Sequence, residues 1–229
     1  MQHFFESVIK PQILEKGYRR ICEIGAALGG NTDMLLTVKR TEISIIDAFL
    51  DCNLQEKYMR NRRVKVHKGL SLQILPNLNE SFDCILIDAD HNWYTVFNEL
   101  SCIERQRMLR KEGTIFLHDT SWPYGRRDMY YDPTVIPPKY LHPFERSGIV
   151  KGQIVLTHNA SGTNSNLMNA LCEGGPRNGV LTAIEDFLKI RSNEYVFLRI
   201  EEENGLGILV KTDGANVTLR KRLSNFFHR

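Results

Sequence analysis

The chain has 229 residues, 42% of them hydrophobic and 25% charged, a balance typical of a globular protein with one sizeable core. Its formal net charge of +3 is too small to indicate nucleic acid or a membrane surface as a partner. Because the sequence shows neither an 18-residue apolar run nor a secretory leader, we expect a cytoplasmic protein.

The first clear pattern is helical and covers residues 4–14, where Pro11 must end or restart a helix. An apolar run at 21–24 then leads into a glycine turn and a second helical pattern, typical of a buried strand followed by a helix N-terminus. Glu23, Gly25 and Gly29 give this turn the spacing E-x-G-x-x-x-G. That spacing differs from the G-x-G-x-x-G of dinucleotide folds and from the Gly-Lys-Ser/Thr phosphate loop.

Four further apolar strands follow, alternating with helical patterns. They are expected at residues 42–47, 64–68, 82–90 and 114–119, and the helix before the last of them is expected to stop at residues 111–113. Two more strands, 195–200 and 206–211, flank a Glu-Glu-Glu-Asn-Gly turn and predict an antiparallel hairpin. The sequence therefore predicts one α/β domain over residues 1–229. Its sheet is doubly wound, Rossmann-like, mostly parallel and seven-stranded, with the hairpin at the C-terminal end.

Residues 120–179 interrupt this alternation. They hold all but two of the eight prolines and have weak periodicity, and long inserts of this kind usually carry function, so we expect a substrate lid. An aromatic and basic cluster in the insert suits sugars, acidic metabolites or planar ligands, and it could equally serve to order the lid. Its members are Trp122, Tyr124, Arg126, Arg127, Tyr130 and Tyr131.

Acidic residues end four of the five predicted parallel strands. Because ligands of open parallel sheets bind outside the carboxyl ends of the strands, this arrangement favours a polar-ligand site at that edge, although Asp90 and Asp119 taken singly also fit helix caps. Asp47 suits the two ribose hydroxyls of either adenosylmethionine or NAD. The acids are Glu23, Asp47, Asp88, Asp90 and Asp119.

Two motifs then make the comparison specific. D-A-D-H-N-W-Y at residues 88–94 is followed about 30 residues later by H-D-T-S-W at 118–122. This pair resembles the D-A-D-K-x-x-Y and D-N-T-x-W motifs of class I S-adenosylmethionine-dependent methyltransferases of the catechol and caffeoyl-coenzyme A O-methyltransferase type. The pattern over residues 18–120 is also similar to the broader bacterial methyltransferase family 24.

The resemblance implies S-adenosyl-L-methionine as the cofactor. It places Asp90 at the cofactor's amino group, Asp47 at the ribose, and the segment after the third strand at the adenine ring. The residues expected to bind the cofactor are Glu23, Gly25, Gly29, Asn31, Asp47, Gly69, Leu70, Ser71 and Asp90.

The resemblance also implies a divalent metal, Mg²⁺ or Mn²⁺, held by Asp88, His118 and Asp119. His118 and Asp119 stand where the family has an Asp-Asn pair, and His91 replaces the family's general-base lysine. Asp88 and His91 are therefore the expected catalytic residues. Two alternatives stay open, since His91 also fits a cap of the following helix and His118 fits a strand-end histidine bonded to a backbone carbonyl.

The expected function is metal-assisted O-methylation of a hydroxyl-bearing small molecule, such as a sugar or a natural-product intermediate. The alternatives are a non-catalytic partner protein that keeps the cofactor fold and an NAD-linked oxidoreductase. We expect neither nucleic acid nor a membrane as a partner, and the resemblance is compatible with a homodimer.

Overall fold

A computed structural model describes residues 1–156, 161–191 and 193–212. Residues 157–160 of the insert, with His158 among them, lie outside the described part. The strands are β1 (Arg20–Ile24), β2 (Glu42–Asp47), β3 (Val64–Lys68), β4 (Phe82–Ile87), β5 (Leu109–His118), β6 (Met129–Tyr130), β7 (Phe144–Arg146), β8 (Met168–Ala170), β9 (Tyr195–Ile200) and β10 (Leu206–Lys211). The α-helices are α1 (Lys10–Lys16), α2 (Gly30–Thr37), α3 (Cys52–Met59), α4 (Ser71–Ile74), α5 (Trp93–Arg105) and α6 (Val180–Arg191).

Seven strands form the main sheet, in the order β3-β2-β1-β4-β5-β10-β9. Strands β1 to β5 pair in parallel, whereas β10 runs antiparallel to β5 and to β9. Ile24 at the end of β1 aligns with Ile46 of β2 and Ile87 of β4, so these strands end together at one edge. The predicted seven-stranded α/β fold with a C-terminal hairpin is confirmed.

Helices and the N-terminal segment cover both faces of the sheet. Alternate residues of β4 enter different cores, with Cys84 and Leu86 on one side and Ile85 and Ile87 on the other. The first core contains the N-terminal segment, α2 and α3, and the second contains α5 and α6. This two-sided burial explains why residues 84–87 of β4 form an unbroken apolar run. In the described residues, every helix is too short or too polar to cross a membrane.

The N-terminal segment follows its predicted helical pattern, and Pro11 restarts the helix. Residues Phe5–Ile9 form a π-helical turn, after which Pro11 occupies the first turn of α1. A proline is tolerated there because that amide has no partner within the helix. Ile9 and Ile13 are almost fully buried against the sheet.

The expected end of α5 at residues 111–113 is wrong, because this helix ends at Arg105 and β5 already begins at Leu109. Arg107 adopts a left-handed conformation, and the amide of Met108 donates to the carbonyl of Ile103 at 2.9 Å, which closes the helix. The first part of β5 is exposed and loosely paired, so its charged sequence resembles a helix end.

The insert contains a small antiparallel sheet in the order β6-β8-β7. Arg127 is fully buried, and its guanidinium donates to the carbonyls of Ala170 at 2.5 Å and Ile154 at 2.8 Å. Arg126 forms a bidentate ion pair with Glu185 of α6 at 2.6 Å. Arg127 therefore orders the insert from within, and Arg126 ties the insert to α6.

Candidate functional site

The turn after β1 approaches the turn after β4 very closely. Gly25 has a φ of 90°, and a Cβ on it would lie 2.5 Å from the Asp88 carbonyl oxygen and from the Ala89 Cα. Only glycine permits this approach. Gly25 therefore serves the packing of two site loops, whatever ligand they bind.

Asp47 holds the glycine turn in place. One carboxylate oxygen accepts from the amides of Ala26 and Ala27 at 2.8 and 2.9 Å, and the other accepts from Phe49 at 2.7 Å. An ionised carboxylate can accept about four hydrogen bonds, so roughly one acceptor position remains for a ligand. The carbonyl of Asp47 also accepts from the amide of Gly69 at 3.0 Å, which brings the segment Gly69, Leu70 and Ser71 to the same edge.

Two buried acceptors in the glycine turn lack partners within the described residues. They are Oε1 of Glu23 and Oδ1 of Asn31. The other carboxylate oxygen of Glu23 accepts from the Thr32 hydroxyl at 2.5 Å. Burial, together with the negative charge of Asp88 and Asp47, raises the pKa of Glu23 to about 8. Two unsatisfied buried acceptors of this kind suit a cationic donor such as an ammonium group.

Two residues that sequence reasoning missed contact the same turn. The hydroxyl of Tyr58 donates to the carbonyl of Gly29 at 2.9 Å, and a Cβ on Gly29 would collide with that hydroxyl. The side chain of Gln2 lies where a Cβ on Gly30 would point. Neither contact follows from local spacing, because α3 and the N-terminus reach the turn only through the tertiary fold.

Four side chains from the ends of β4 and β5 meet beside this turn, and we call Asp88, His91, His118 and Asp119 the His-Asp cluster. Nε2 of His91 lies 2.6 Å from the Asp119 carboxylate. Nδ1 of His118 lies 3.0 Å from Asp119 and 3.2 Å from Asp88. Asp119 has a left-handed φ of 58°, which turns its carboxylate back toward both imidazoles. Sequence reasoning selected all four residues.

The two carboxylates determine the charges in the cluster. Burial favours neutral imidazoles, but the hydrogen bonds and charges of Asp119 and Asp88 outweigh it and raise the pKa of His118 to about 9. The pKa of His91 is also raised, since Asp119 outweighs the effect of burial. In return, and against its burial, the pKa of Asp119 is held far below its usual range by the two histidines. The two carboxylates therefore stabilise the protonated form of both imidazoles.

Three members of the cluster also fit a divalent metal. Ligand atoms of Asp88, His118 and Asp119 all lie within 4.8 Å of one another. Neighbouring ligands about 2.1 Å from an ion are about 3 Å apart in octahedral geometry. The Nδ1 atom of His118 is at this separation from both carboxylates, so the donors are suitably spaced and of suitable chemistry.

The open alternatives for the residues around α5 can now be decided. Asn92 caps α5, since its Oδ1 accepts from the Thr95 amide at 2.8 Å, so His91 is not the cap. Asp90, expected at the cofactor's amino group, accepts from Asn92 at 2.6 Å and from the Thr95 hydroxyl at 2.7 Å. Its carboxylate thus has a structural role in its own loop. For His118, the alternative holds as well, because Nε2 lies 3.1 Å from the carbonyl of Glu203.

Aromatic residues border the cluster. The rings of Tyr124 and Tyr131 approach His91 edge-on, with centroids 5.3 and 6.0 Å away, and Phe4 approaches His118 in the same way at 6.2 Å. Tyr124 is buried, whereas Tyr131 is 49% exposed. Tyr131 belongs to the insert, so the insert places a half-exposed ring beside the His91–Asp119 pair.

The family model Methyltransf_24, described as a methyltransferase domain, matches residues 22–120. This range runs from β1 to the end of β5 and contains both the glycine turn and the His-Asp cluster. Residues 22–120, a little under half of the chain, are therefore similar to the methyltransferase domains of this family. The resemblance seen in the two motifs is thereby confirmed, while no curated protein matches this sequence.

Solved structures of methyltransferases share the fold of this chain at low sequence identity. A provisionally assigned caffeoyl-CoA O-methyltransferase from Staphylococcus aureus is 15% identical, with a TM-score of 0.52 over 89% of this chain and 80% of the other. The SAH-bound methyltransferase PaMTH1 from Podospora anserina is 17% identical, with a TM-score of 0.52 over 88% and 75%. The O-methyltransferase TomG from Streptomyces achromogenes, solved with SAM, is 14% identical, with a TM-score of 0.50 over 90% and 81%.

Proposed function

We propose that the protein is an S-adenosylmethionine-dependent O-methyltransferase that acts on a hydroxyl group of a neutral small molecule with the help of a divalent metal. The observation that carries the proposal is the His-Asp cluster, which combines metal-ligand donors and a candidate base beside the glycine turn of a methyltransferase domain. The SAH-bound and SAM-bound similar structures support the choice of cofactor.

The glycine turn would bind the cofactor's amino acid end. The partnerless acceptors of Glu23 and Asn31 would receive its ammonium group, and the remaining acceptor position of Asp47 would receive a ribose hydroxyl. The segment Gly69–Leu70–Ser71 would contact the adenine. Adenosylmethionine supplies a methyl group already activated on a sulfonium, so the protein mainly has to align the acceptor oxygen with it.

His91 is the proposed general base. In the neutral form of His91, Asp119 accepts from Nε2–H, which fixes this tautomer and leaves the lone pair of Nδ1 without a partner in the described residues. An acid that orients a histidine in this way also stabilises the imidazolium formed when the ring takes a proton. Nδ1 would accept the proton of the substrate hydroxyl as the oxygen attacks.

Asp88, His118 and Asp119 would hold the metal, which lowers the pKa of a bound hydroxyl when it is present. The cluster with Asp90 contains three carboxylates and two imidazoles. Within the described residues, the cations near the cluster already have partners, because the N-terminal ammonium of Met1 lies 3.5 Å from Asp88, Arg126 pairs with Glu185 and Arg127 donates to Ala170. A neutral acceptor such as a sugar or natural-product hydroxyl is therefore favoured over an anionic one.

The insert at residues 120–179 is the proposed substrate lid. Tyr131, half exposed above His91, would pack on the acceptor and exclude water from the base. The role of TomG, which is described as involved in tomaymycin synthesis, supports a natural-product acceptor for this fold.

A methyl-transfer assay tests the proposal. The protein is incubated with methyl-labelled adenosylmethionine, a divalent metal and a panel of neutral hydroxyl compounds, and binding of adenosylhomocysteine is measured in parallel by calorimetry. We expect micromolar cofactor binding and label transfer to at least one hydroxyl acceptor. Absence of cofactor binding under any metal condition would contradict the proposal and favour a non-catalytic or nicotinamide-binding protein.

A further inference from the structure

The orientation of His118 is fixed by a backbone carbonyl on a different hairpin. Its Nε2 lies 3.1 Å from the carbonyl oxygen of Glu203, in the turn between β9 and β10. A carbonyl only accepts hydrogen bonds, so Nε2 carries the hydrogen and donates it. Nδ1 therefore points toward the carboxylates of Asp88 and Asp119, at 3.2 and 3.0 Å.

Two carboxylates this close to Nδ1 of His118 favour a positive charge between them. A proton on Nδ1 supplies that charge, and a bound metal ion would supply it in the proton's place. Metal-binding histidines have this arrangement, with one ring nitrogen on the ion and the other N–H donating to a carbonyl or carboxylate. His118 has both features, because its Nε2 donates to the Glu203 carbonyl and its Nδ1 lies beside the carboxylates of Asp88 and Asp119.

The Glu203 carbonyl is held in place by an unusual turn. Glu203, Asn204 and Gly205 are three consecutive left-handed residues, with φ values of 47°, 67° and 86°. The amide of Ser121 donates to the Asn204 carbonyl at 2.7 Å, and a Cβ on Gly205 would lie 2.5 Å from the Ser121 amide nitrogen. Left-handed non-glycine residues persist only where the surrounding structure enforces them. Here the loop that follows the His-Asp cluster provides those contacts.

We infer that the β9–β10 turn, residues 201–205, is a positioning element that sets the metal preference of the site. By presenting Nδ1 of His118 as a ligand beside two carboxylates, it makes the site prefer a divalent transition metal such as Mn²⁺ or Co²⁺ to Mg²⁺. Magnesium prefers oxygen ligands throughout, whereas imidazole suits the transition metals. The inference rests on the proposed function, since it concerns the metal site of that reaction.

Metal binding to the full chain, freed of metal by chelation, tests the inference without any turnover. Calorimetry gives the Co²⁺ and Mg²⁺ affinities, and pulsed electron paramagnetic resonance on bound Mn²⁺ detects a directly coordinated nitrogen. We expect nitrogen coupling and tighter Co²⁺ binding in the unaltered protein. In His118→Asp the coupling should disappear, and the Co²⁺ to Mg²⁺ affinity ratio should fall by about tenfold or more.

Glycine variants test the turn itself. Gly205→Ala should displace the Glu203 carbonyl and lower Co²⁺ affinity by about tenfold. The matched control is Gly17→Ala, because Gly17 is also left-handed, with a φ of 65°, and a Cβ there meets nothing within 4 Å. The control should keep the affinity of the unaltered protein. If Gly205→Ala does not fold, His118→Asp and the spectrum of the unaltered protein still decide the matter.

Adenosylhomocysteine binding is measured on every sample, so that failure of the metal-preference inference can be told apart from failure of the proposed function. Normal cofactor binding with equal Co²⁺ and Mg²⁺ affinities and no nitrogen coupling would overturn the inference and leave the proposed cofactor standing. If the unaltered protein does not bind adenosylhomocysteine at all, the proposed function is overturned, and the inference falls with it.

Discussion

The two halves of the site use their carboxylates in different ways. In the glycine-turn region, Asp47 bonds to backbone amides and Glu23 is buried with one oxygen unsatisfied. In the His-Asp cluster, Asp88 and Asp119 contact imidazole side chains instead. The carboxylate that accepts from backbone amides fixes the shape of its loop, whereas the carboxylates that contact imidazoles control the charge of the histidines and where their protons lie. Substitutions in the first half should therefore affect folding and cofactor binding, and those in the second half should affect chemistry.

The largest expected effect is that of Asp119→Asn in the His-Asp cluster. This carboxylate contacts both His91 and His118, so its loss removes the orientation of the proposed base and one proposed metal ligand together. Methyl transfer should fall by about 10³–10⁴-fold, the scale for neutralising an acid that orients a catalytic histidine. Steady-state kinetics with labelled cofactor measures it.

The control for this variant is Asp83→Asn. Asp83 accepts from two backbone amides at the opposite edge of the sheet, at 2.9 Å each, far from the chemistry. Its turnover should stay near that of the unaltered protein at a temperature where both are folded. Equal losses in the two variants would contradict a chemical role for the cluster.

Gly25→Ala should act on the fold. The added Cβ would meet the Asp88 carbonyl oxygen at 2.5 Å, and the left-handed φ adds strain. Together these effects should lower the free energy of unfolding by roughly 2–5 kcal/mol. Urea denaturation measures the change, and Gly17→Ala, with strain but no collision, should lose clearly less. Similar losses for both variants would show that close packing of the two loops is unimportant.

Asp47→Asn should weaken both the fold and cofactor binding. The amide side chain loses charge-assisted acceptance from three backbone N–H groups, which we expect to lower the free energy of unfolding by about 2–4 kcal/mol. Adenosylhomocysteine affinity should fall by about tenfold or more, since one buried ribose contact is also lost. Asp83→Asn should show the stability loss without the affinity loss. A variant that binds cofactor normally would remove Asp47 from the cofactor site.

The smallest expected effect concerns Glu99, a fully buried residue of α5 whose carboxylate lies beside the Ser71 side chain. Burial raises the pKa of Glu99 from 4.5 to about 8, so the folded protein binds a proton there that the unfolded chain releases. Stability from this group is present below pH 4.5 and is lost as the pH rises toward about 8. Glu23 behaves in the same way.

Glu99→Gln should therefore raise the melting temperature by a few degrees at pH 8–9 and leave it unchanged near pH 4.5. Thermal melts across this range measure the difference. The exposed Glu15→Gln should follow the unaltered protein throughout. A uniform shift at all pH values would indicate a packing effect instead of a protonation effect.

The sheet could be predicted from sequence because its strands carry local signals. The run at 84–87 is apolar throughout, and the hairpin strands 195–200 and 206–211 match their predicted bounds. The residues of the His-Asp cluster were selected because strand ends share an edge. The end of α5 was misplaced because exposed charged residues at the start of β5 have no apolar periodicity.

Contacts made by the backbone or by distant elements could not be predicted. The bonds from Asp47 to the glycine turn, the Tyr58 hydroxyl on Gly29 and the Glu203 carbonyl on His118 join residues without any common spacing. For Arg127 the sequence left ligand binding and ordering of the insert equally open, and the guanidinium is buried among carbonyls. Composition gives the same signal for an arginine that binds a ligand and for one that orders a loop.

The most direct test of the account is calorimetric titration of adenosylhomocysteine into the unaltered protein and into Asp88→Ala, followed by a methyl-transfer assay on both samples. We expect both proteins to bind adenosylhomocysteine with micromolar affinities within a few-fold of each other, and only the unaltered protein to transfer methyl groups. Undiminished methyl transfer by Asp88→Ala would contradict a role for the His-Asp cluster in the reaction.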